Sequence, residues 1–117
     1  MPDRQTIETG YREFQQRFVD ALVAADPDAR FHPDPWDRPG GGGGLSMVAG
    51  GDSAIEKAAV NFSSVSGETP ERLSERLAVE SDRFYATGVS IIVHPRNPHA
   101  PTFHANIRYF ETDAGLA

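Results

Sequence analysis

The sequence predicts an α+β fold, in which a mainly antiparallel β-sheet is flanked by helices. Three observations predict it. Apolar residues near the N-terminus recur at helical spacing, two apolar runs near the C-terminus alternate with polar residues, and short segments rich in proline, glycine or asparagine separate the elements. The length of 117 residues is typical of one domain, so we predict a single domain over residues 1–117.

The N-terminal residues 1–30 are predicted to form a helix with one apolar stripe. The helical pattern ends at Ala25-Asp26-Pro27, because proline disfavours helical conformation in the residue before it. We interpret this helix as a flanking element that packs against the core. Its stripe, with gaps of three or four positions, consists of Ile7, Tyr11, Phe14, Phe18 and Leu22.

Residues 31–44 contain three prolines and the glycine run Gly40–Gly44. We interpret this segment as a linker between the helix and the first strand, since glycine runs are typical of flexible connections. The alternative is that the glycines let the backbone approach a ligand or turn through positive φ. A phosphate-binding P-loop is excluded, because no Gly-Lys-Ser/Thr ending follows.

The middle of the chain is predicted to hold a β-hairpin and a second helix. A short strand at 45–48, a turn at 49–52 and a return strand at 54–65 form the hairpin. The second helix is predicted over residues 69–86, because Thr69 is a favourable N-cap and Pro70 suits the first helical position. Its mixed charges and sparse apolar residues indicate a helix on the surface.

The clearest strands are residues 88–94 and 102–110, joined by a loop with three prolines. Side chains alternate along a strand with period two, so His104, Asn106 and Arg108 share one face. Ser90 and His94 share one face of the preceding strand for the same reason.

Pairing of these two strands would bring the polar residues into one patch. In a register where paired residue numbers sum to 198, His94 faces His104 and Ser90 faces Arg108; a register two residues away is equally compatible. Both predict one polar patch, which contains Ser90, His94, His104, Asn106 and Arg108.

The charge distribution favours an anionic ligand for this patch. The chain has 11 basic and 17 acidic residues, a formal charge of −6, yet residues 84–110 contain no Asp or Glu. A locally basic strip in an acidic protein is typical of a carboxylate or phosphate site, and a solvated sheet face is the alternative.

Composition excludes several functional classes. The absence of cysteine excludes a disulfide scaffold, a thiolate metal site and a cysteine nucleophile. The sequence lacks an apolar run long enough to span a membrane and a secretory signal, so we expect a cytoplasmic protein. A net acidic chain is a poor general binder of nucleic acid.

Metal binding and nucleophilic catalysis are less favoured for the polar patch. His94 and His104 would hold a metal ion only with further ligands, because no motif such as H-E-x-x-H accompanies them. A Ser90–His94 nucleophilic pair lacks both a nucleophile elbow and a nearby acid to orient the histidine.

A series of segments resembles the N-terminal part of the oxygen-dependent coproporphyrinogen III oxidase family over about residues 7–111. The last two segments together are highly specific. In chain order the series is Trp36-x-Arg38, Gly41–Ser46 (GGGGLS), Glu56–Ser63 (EKAAVNFS), Ala86–Ser90 (ATGVS), His94–Pro98 (HPRNP) and Pro101–Phe110 (PTFHANIRYF).

The resemblance implies a function. The family oxidatively decarboxylates two propionates of coproporphyrinogen III to vinyl groups, which gives protoporphyrinogen IX in haem biosynthesis. It implies molecular oxygen as co-substrate, no organic cofactor, a homodimer, and a broad flat antiparallel sheet with helices on both faces.

Residue roles also come from the resemblance. His104 corresponds to a catalytic proton donor, and Ser90, Asn106 and Arg108 correspond to substrate-binding positions. A divalent metal has been proposed for bacterial members, with ligands that correspond to His94 and His104.

The sequence departs from the family in two ways. Met47, Ile55 and Ala59 stand where the family usually has Arg, Phe and Gly, and the Arg at the first position is a potential anion contact. Family members are also longer, with further Asp and Arg motifs downstream. The alternative to an enzyme is therefore a truncated, catalytically inactive module that binds tetrapyrroles or another partner.

Overall fold

The computed structural model describes residues 3–51, 53–68, 83–112 and 115–116. One helix packs on a six-stranded antiparallel sheet whose strands follow one another in chain order, β1-β2-β3-β4-β5-β6. This confirms the predicted α+β class. The elements are α1 (Arg4–Ala25), β1 (Phe31–Asp37), β2 (Gly42–Gly50), β3 (Ile55–Glu68), β4 (Arg83–Pro95), β5 (Phe103–Thr112) and β6 (Gly115–Leu116).

Helix α1 begins and ends close to its predicted bounds. Asp3 is the N-cap, and its carboxylate accepts hydrogen bonds from the Gln5 amide at 3.2 Å and the Thr6 hydroxyl at 2.9 Å. The bond to the Gln5 amide satisfies a backbone donor that the first turn of a helix leaves without a partner. The helix ends at Ala25, and the amide of the C-cap residue Asp26 donates to the Leu22 carbonyl at 2.8 Å. No helix of the described residues is long and apolar enough to cross a membrane.

The core lies between α1 and one side of the sheet, which we call the helix face. Val19 of α1 packs with Val60 of β3 and with Val89 and Ile91 of β4, and all four are almost fully buried. Part of the predicted apolar stripe, including Phe14, closes over this cluster. The opposite side, which we call the open face, carries no helix among the described residues, so the second flanking helix that the resemblance implies is not seen there.

A buried amide connects α1 to two strands. Gln15 is 3% exposed, and its Nε2 donates to the carbonyls of Leu45 at 2.7 Å and Val60 at 2.8 Å. Buried carbonyls without partners are costly, and one side chain here satisfies two of them. The hydrogen bonds therefore fix the position of the helix along the sheet.

The two ends of α1 are held by carboxylates. At its start, Arg4 donates to Glu111, which also accepts the Tyr109 hydroxyl at 2.8 Å. Burial raises the pKa of Glu111, but the bonds from Tyr109 and Arg4 outweigh it and leave that pKa below its ordinary value. At the other end, Asp26 accepts the Ile55 amide at 2.9 Å, and this bond lowers the pKa of Asp26.

The interpretation of residues 31–44 as a linker is wrong. Residues 31–37 form β1, and Gly42–Gly44 begin β2, its antiparallel partner. Prolines are tolerated in β1 because it is an edge strand, where a missing N–H removes no bond to an outer neighbour. The turn between the strands uses Gly40, Gly41 and Gly42 at φ values of 100°, 137° and 94°, which favour glycine.

The predicted hairpin at 45–65 is confirmed, with strands that extend further than the sequence indicated. The predicted second helix, residues 69–86, is wrong for residues 83–86, because they belong to β4. Its other residues, 69–82, lie outside the described residues. Phe84 and Tyr85 are β-forming aromatic residues that point to opposite faces of β4. Their alternation continues the strand pattern of residues 88–94 toward the N-terminus.

Substitution of Gly44 should destabilise the sheet. A Cβ there would lie 2.1 Å from the Phe62 carbonyl oxygen and 2.6 Å from Cζ2 of Trp36. We expect Gly44→Ala to lower the free energy of unfolding by about 1–3 kcal/mol, the usual cost of overpacking. Urea denaturation followed by circular dichroism measures it.

Gly10→Ala is the matched control for this prediction. Gly10 lies in α1 with nothing within 4 Å of an added Cβ, so alanine should raise the free energy of unfolding by about 0.8–1 kcal/mol. Equal effects of the two variants would contradict the close approach at Gly44.

Asp26 should make stability depend on acidic pH. Its pKa is lowered in the folded chain, so ionised Asp26 stabilises the fold above the unfolded value of 3.8 and loses this effect as pH falls through the folded pKa. Asp26→Asn should therefore be less stable than the parent at pH 7, with a deficit that shrinks below the unfolded pKa. Denaturation of both variants at pH 7 and at a pH below 3.8 measures the difference in their free energies of unfolding. A difference that is the same at the two pH values would contradict the role of Asp26.

Candidate functional site

The register between β4 and β5 determines which polar residues meet. Ser90 pairs with Asn106 and Ile92 pairs with His104. Paired numbers therefore sum to 196 rather than 198, so Ser90 does not face Arg108 and His94 does not face His104. The structure has instead the register two residues away, which the sequence left open.

All five predicted site residues lie on the open face. Their positions on β4 and β5 have the opposite parity to Val89 and Ile91, which α1 covers. Ser90 is half-buried in the sheet, whereas the other four side chains are more exposed: His94, His104, Asn106 and Arg108. The alternation argument correctly placed these residues together, and their chemical roles stay predictions.

A polar row crosses the sheet at the level of Ser90. The register joins Ser90 to Asn106 on one side and to Asn61 on the other, and Asn61 in turn pairs with Ser46. Sequence reasoning did not single out Asn61. The alternation of apolar and polar residues could have identified it, because Asn61 lies between the buried residues Val60 and Phe62 and so faces the other side of β3.

The next row has almost no side-chain bulk at its centre. It runs through Trp36, Gly44, Ser63, Gly88 and Arg108. An added Cβ at Gly44 would meet the indole of Trp36, which shows that the indole lies over this glycine. The open face thus lacks large side chains between the Trp36 ring, which lies over β2, and the guanidinium of Arg108 on β5.

The charges on the open face favour the binding of an anion beside β5. No carboxylate among the described residues forms an ion pair with Arg108. Asp34 is on the open face of β1, four strand spacings or about 19 Å from β5. The guanidinium therefore keeps its planar fork of donors for an incoming carboxylate.

The described residues do not fit a divalent metal centre. His94 and His104 share the open face, but no group of three or more His, Asp or Glu side chains that could hold a metal ion occurs in the described ranges. The register partner of His94 is Lys57, whose positive charge opposes a cation. Two histidines alone do not complete a metal site, and the metal-ligand roles of His94 and His104 stay predictions.

The site offers a defined set of chemical groups. Arg108 can bind a carboxylate, while Asn106 and the Ser90 hydroxyl can donate or accept hydrogen bonds beside it. His104 is an imidazole open to solvent on the same strand, a residue type suited to holding or moving a proton near neutral pH. The arrangement suits a carboxylate-bearing ligand that undergoes proton transfer.

Comparison with known proteins identifies what the chain is similar to. Residues 6–116 match the family model described as coproporphyrinogen III oxidase. The chain is 46% identical to the chloroplastic oxygen-dependent coproporphyrinogen-III oxidase of Glycine max and 45% identical to the chloroplastic coproporphyrinogen-III oxidase 1 of Arabidopsis thaliana. Each alignment covers 95% of this chain and 31% of the relative, so the chain spans about a third of their length.

Proposed function

The chain belongs to the coproporphyrinogen III oxidase family, and from this premise we propose that its open face binds coproporphyrinogen III for oxygen-dependent decarboxylation. The observation that carries the proposal is the placement of Arg108, Asn106 and Ser90 on one uncovered face without a carboxylate partner for Arg108 among the described residues. The substrate bears four propionate carboxylates, which the acid-free strip complements.

The proposed reaction converts two propionates into vinyl groups and gives protoporphyrinogen IX. Each propionate loses its carboxyl group as carbon dioxide, together with one proton and two electrons, and molecular oxygen accepts the electrons. The chain's own residues bind and move protons. Arg108 holds a propionate, and Ser90 and Asn106 orient it. His104 takes up the proton that the side chain loses and donates it to the reduced oxygen.

A second candidate function is a tetrapyrrole-binding module without turnover. One observation favours it: His104 and Arg108 are exposed in the described part of the chain. Decarboxylation benefits from a site that excludes water, and the open face alone does not enclose the substrate.

Two further expectations concern the oligomeric state and the location of the protein. We propose that it works as a homodimer, on the basis of the resemblance to its family. The cytoplasmic location stays a prediction; the printed names of the two relatives place those proteins in chloroplasts.

Aerobic turnover tests the proposed function. Coproporphyrinogen III is incubated with the chain in air and under argon, and the products are separated by chromatography. The proposal predicts a vinyl product that requires oxygen. Saturable binding without product supports the module instead, and the absence of both contradicts both candidates.

Arg108→Ala should weaken the binding of coproporphyrin, the stable oxidised analogue of the substrate. The expected loss is about 1.5–3 kcal/mol, the contribution of a hydrogen bond to a charged group. Fluorescence titration measures it. Arg17→Ala is the matched control, because Arg17 is an exposed arginine of α1, on the other side of the sheet. An unchanged affinity in Arg108→Ala would remove this residue from the site.

His104→Ala should lower turnover more than binding. General acid–base catalysis contributes about 10²–10⁴-fold, so kcat should fall by that order while KM changes little. His99→Ala is the control, since His99 is an exposed histidine of the loop between β4 and β5, and its backbone amide donates to the Asn97 side chain. A rise in KM with unchanged kcat would contradict the proton-transfer role.

A further inference from the structure

Arg38 is fixed in place on the open face. Its Nη1 donates to the carbonyls of Ser66 at 2.7 Å and Gly41 at 3.3 Å. Its guanidinium carbon lies 5.7 Å from the centroid of the Phe84 ring, and the Cβ position of Gly67 is 3.3 Å from Nη1. The side chain therefore lies across Gly67 and against Phe84, and little rotamer freedom remains to be lost on binding.

The Arg38 guanidinium lines a ligand-sized space. Nη1 makes the two backbone bonds, which leaves Nε and Nη2, the pair of parallel donors that binds a carboxylate in bidentate fashion. Arg38 lines a cavity of about 400 Å³ with Gly40, Gly67, Glu68 and Arg83. Glu68 and Arg83 are register partners of opposite charge, so Arg38 supplies the excess positive charge of the cavity.

An aromatic surface separates Arg38 from Arg108. Phe84 and Phe110 both lie on the open face, with ring centroids 6.0 Å apart and planes at 11°. Gly88, the register partner of Arg108, lies four positions after Phe84, which corresponds to about 13 Å along the strand. The open face thus presents two guanidinium groups with an apolar surface between them.

We propose that Arg38 is a second carboxylate-binding residue, which together with Arg108 holds two carboxylates of one ligand whose apolar body lies on Phe84 and Phe110. This inference rests on the proposed function and extends it, because it requires a ligand with acidic groups at separated positions around an apolar ring system. A tetracarboxylic tetrapyrrole has this chemistry. A porphyrin with two neighbouring carboxylates reaches only one of the two arginines.

Fluorescence titration of two porphyrins tests the proposal. The probes are coproporphyrin III, which has four propionates around the ring, and mesoporphyrin, which has two on neighbouring pyrroles. Arg38→Gln should raise the Kd for coproporphyrin about tenfold or more, the change that about 1.4 kcal/mol represents, and should change the Kd for mesoporphyrin much less. Arg17→Gln on α1 is the matched control for the loss of one positive charge.

A second variant guards against loss of the fold. Arg38→Lys keeps the charge and a donor for the Ser66 carbonyl but lacks the planar pair of donors. It should therefore fold like the parent, by circular dichroism and thermal melting, and still bind coproporphyrin several-fold more weakly. Parent-like affinity in a folded Arg38→Lys variant would overturn the bidentate contact.

The titration separates this inference from the proposed function. If Arg108→Ala weakens coproporphyrin binding while Arg38→Gln leaves the Kd within twofold, the second subsite is overturned and the proposed function stands. Equal losses for both porphyrins in Arg38→Gln also overturn it, because the effect would not depend on the number of carboxylates. If the parent chain shows no saturable binding of coproporphyrin, both the subsite and the proposed function are overturned.

Discussion

The burial of one side of the sheet under α1 is the constraint on which the rest of the structure depends. Val60 and Phe62 of β3 and Val89 and Ile91 of β4 are at most 1% exposed. Side chains alternate along a strand, so fixing these residues beneath the helix fixes the opposite parity on the open face. A slip of one residue in either strand would bury Asn61 or Ser90 and expose the core. The same apolar contacts that stabilise the fold therefore assemble the polar site.

Glycine shapes the open face in two ways. At Gly40–Gly42 the positive φ values turn the chain from β1 into β2, and the Gly41 carbonyl in this turn accepts a hydrogen bond from Arg38. At Gly44 the absent side chain makes room for the Trp36 indole. The centre of the open face therefore lacks large side chains, and Arg38, Trp36 and Arg108 surround it. This arrangement suits a broad ligand better than a small one.

Much of the architecture is predictable because it depends on local patterns. The 3.6-residue period predicts α1, and period-two alternation predicts β4, β5 and the face shared by His104 and Arg108. Register is not predictable, since it depends on the loop at 95–101 and on how β3, with its irregularity between Ile55 and Lys57, aligns β4. The prediction for the glycine run is wrong because composition alone does not distinguish an edge strand from a linker. The sequence shows Arg38 as part of a motif, but its hydrogen bond to the Ser66 carbonyl, 28 positions away, is visible only in the folded chain.

The most direct test of the account uses the methyl groups of two alanines. Ala86 is on the open face as the register partner of Phe110, whereas Ala105 is on the helix face as the register partner of Ile91. A bound porphyrin shifts the NMR signals of methyl groups beneath its ring. Titration of coproporphyrin into chain labelled at the alanine methyls should therefore shift Ala86 strongly and leave Ala105 nearly unchanged. A strong shift of Ala105 with an unchanged Ala86 would place the ligand on the wrong side of the sheet and contradict the account.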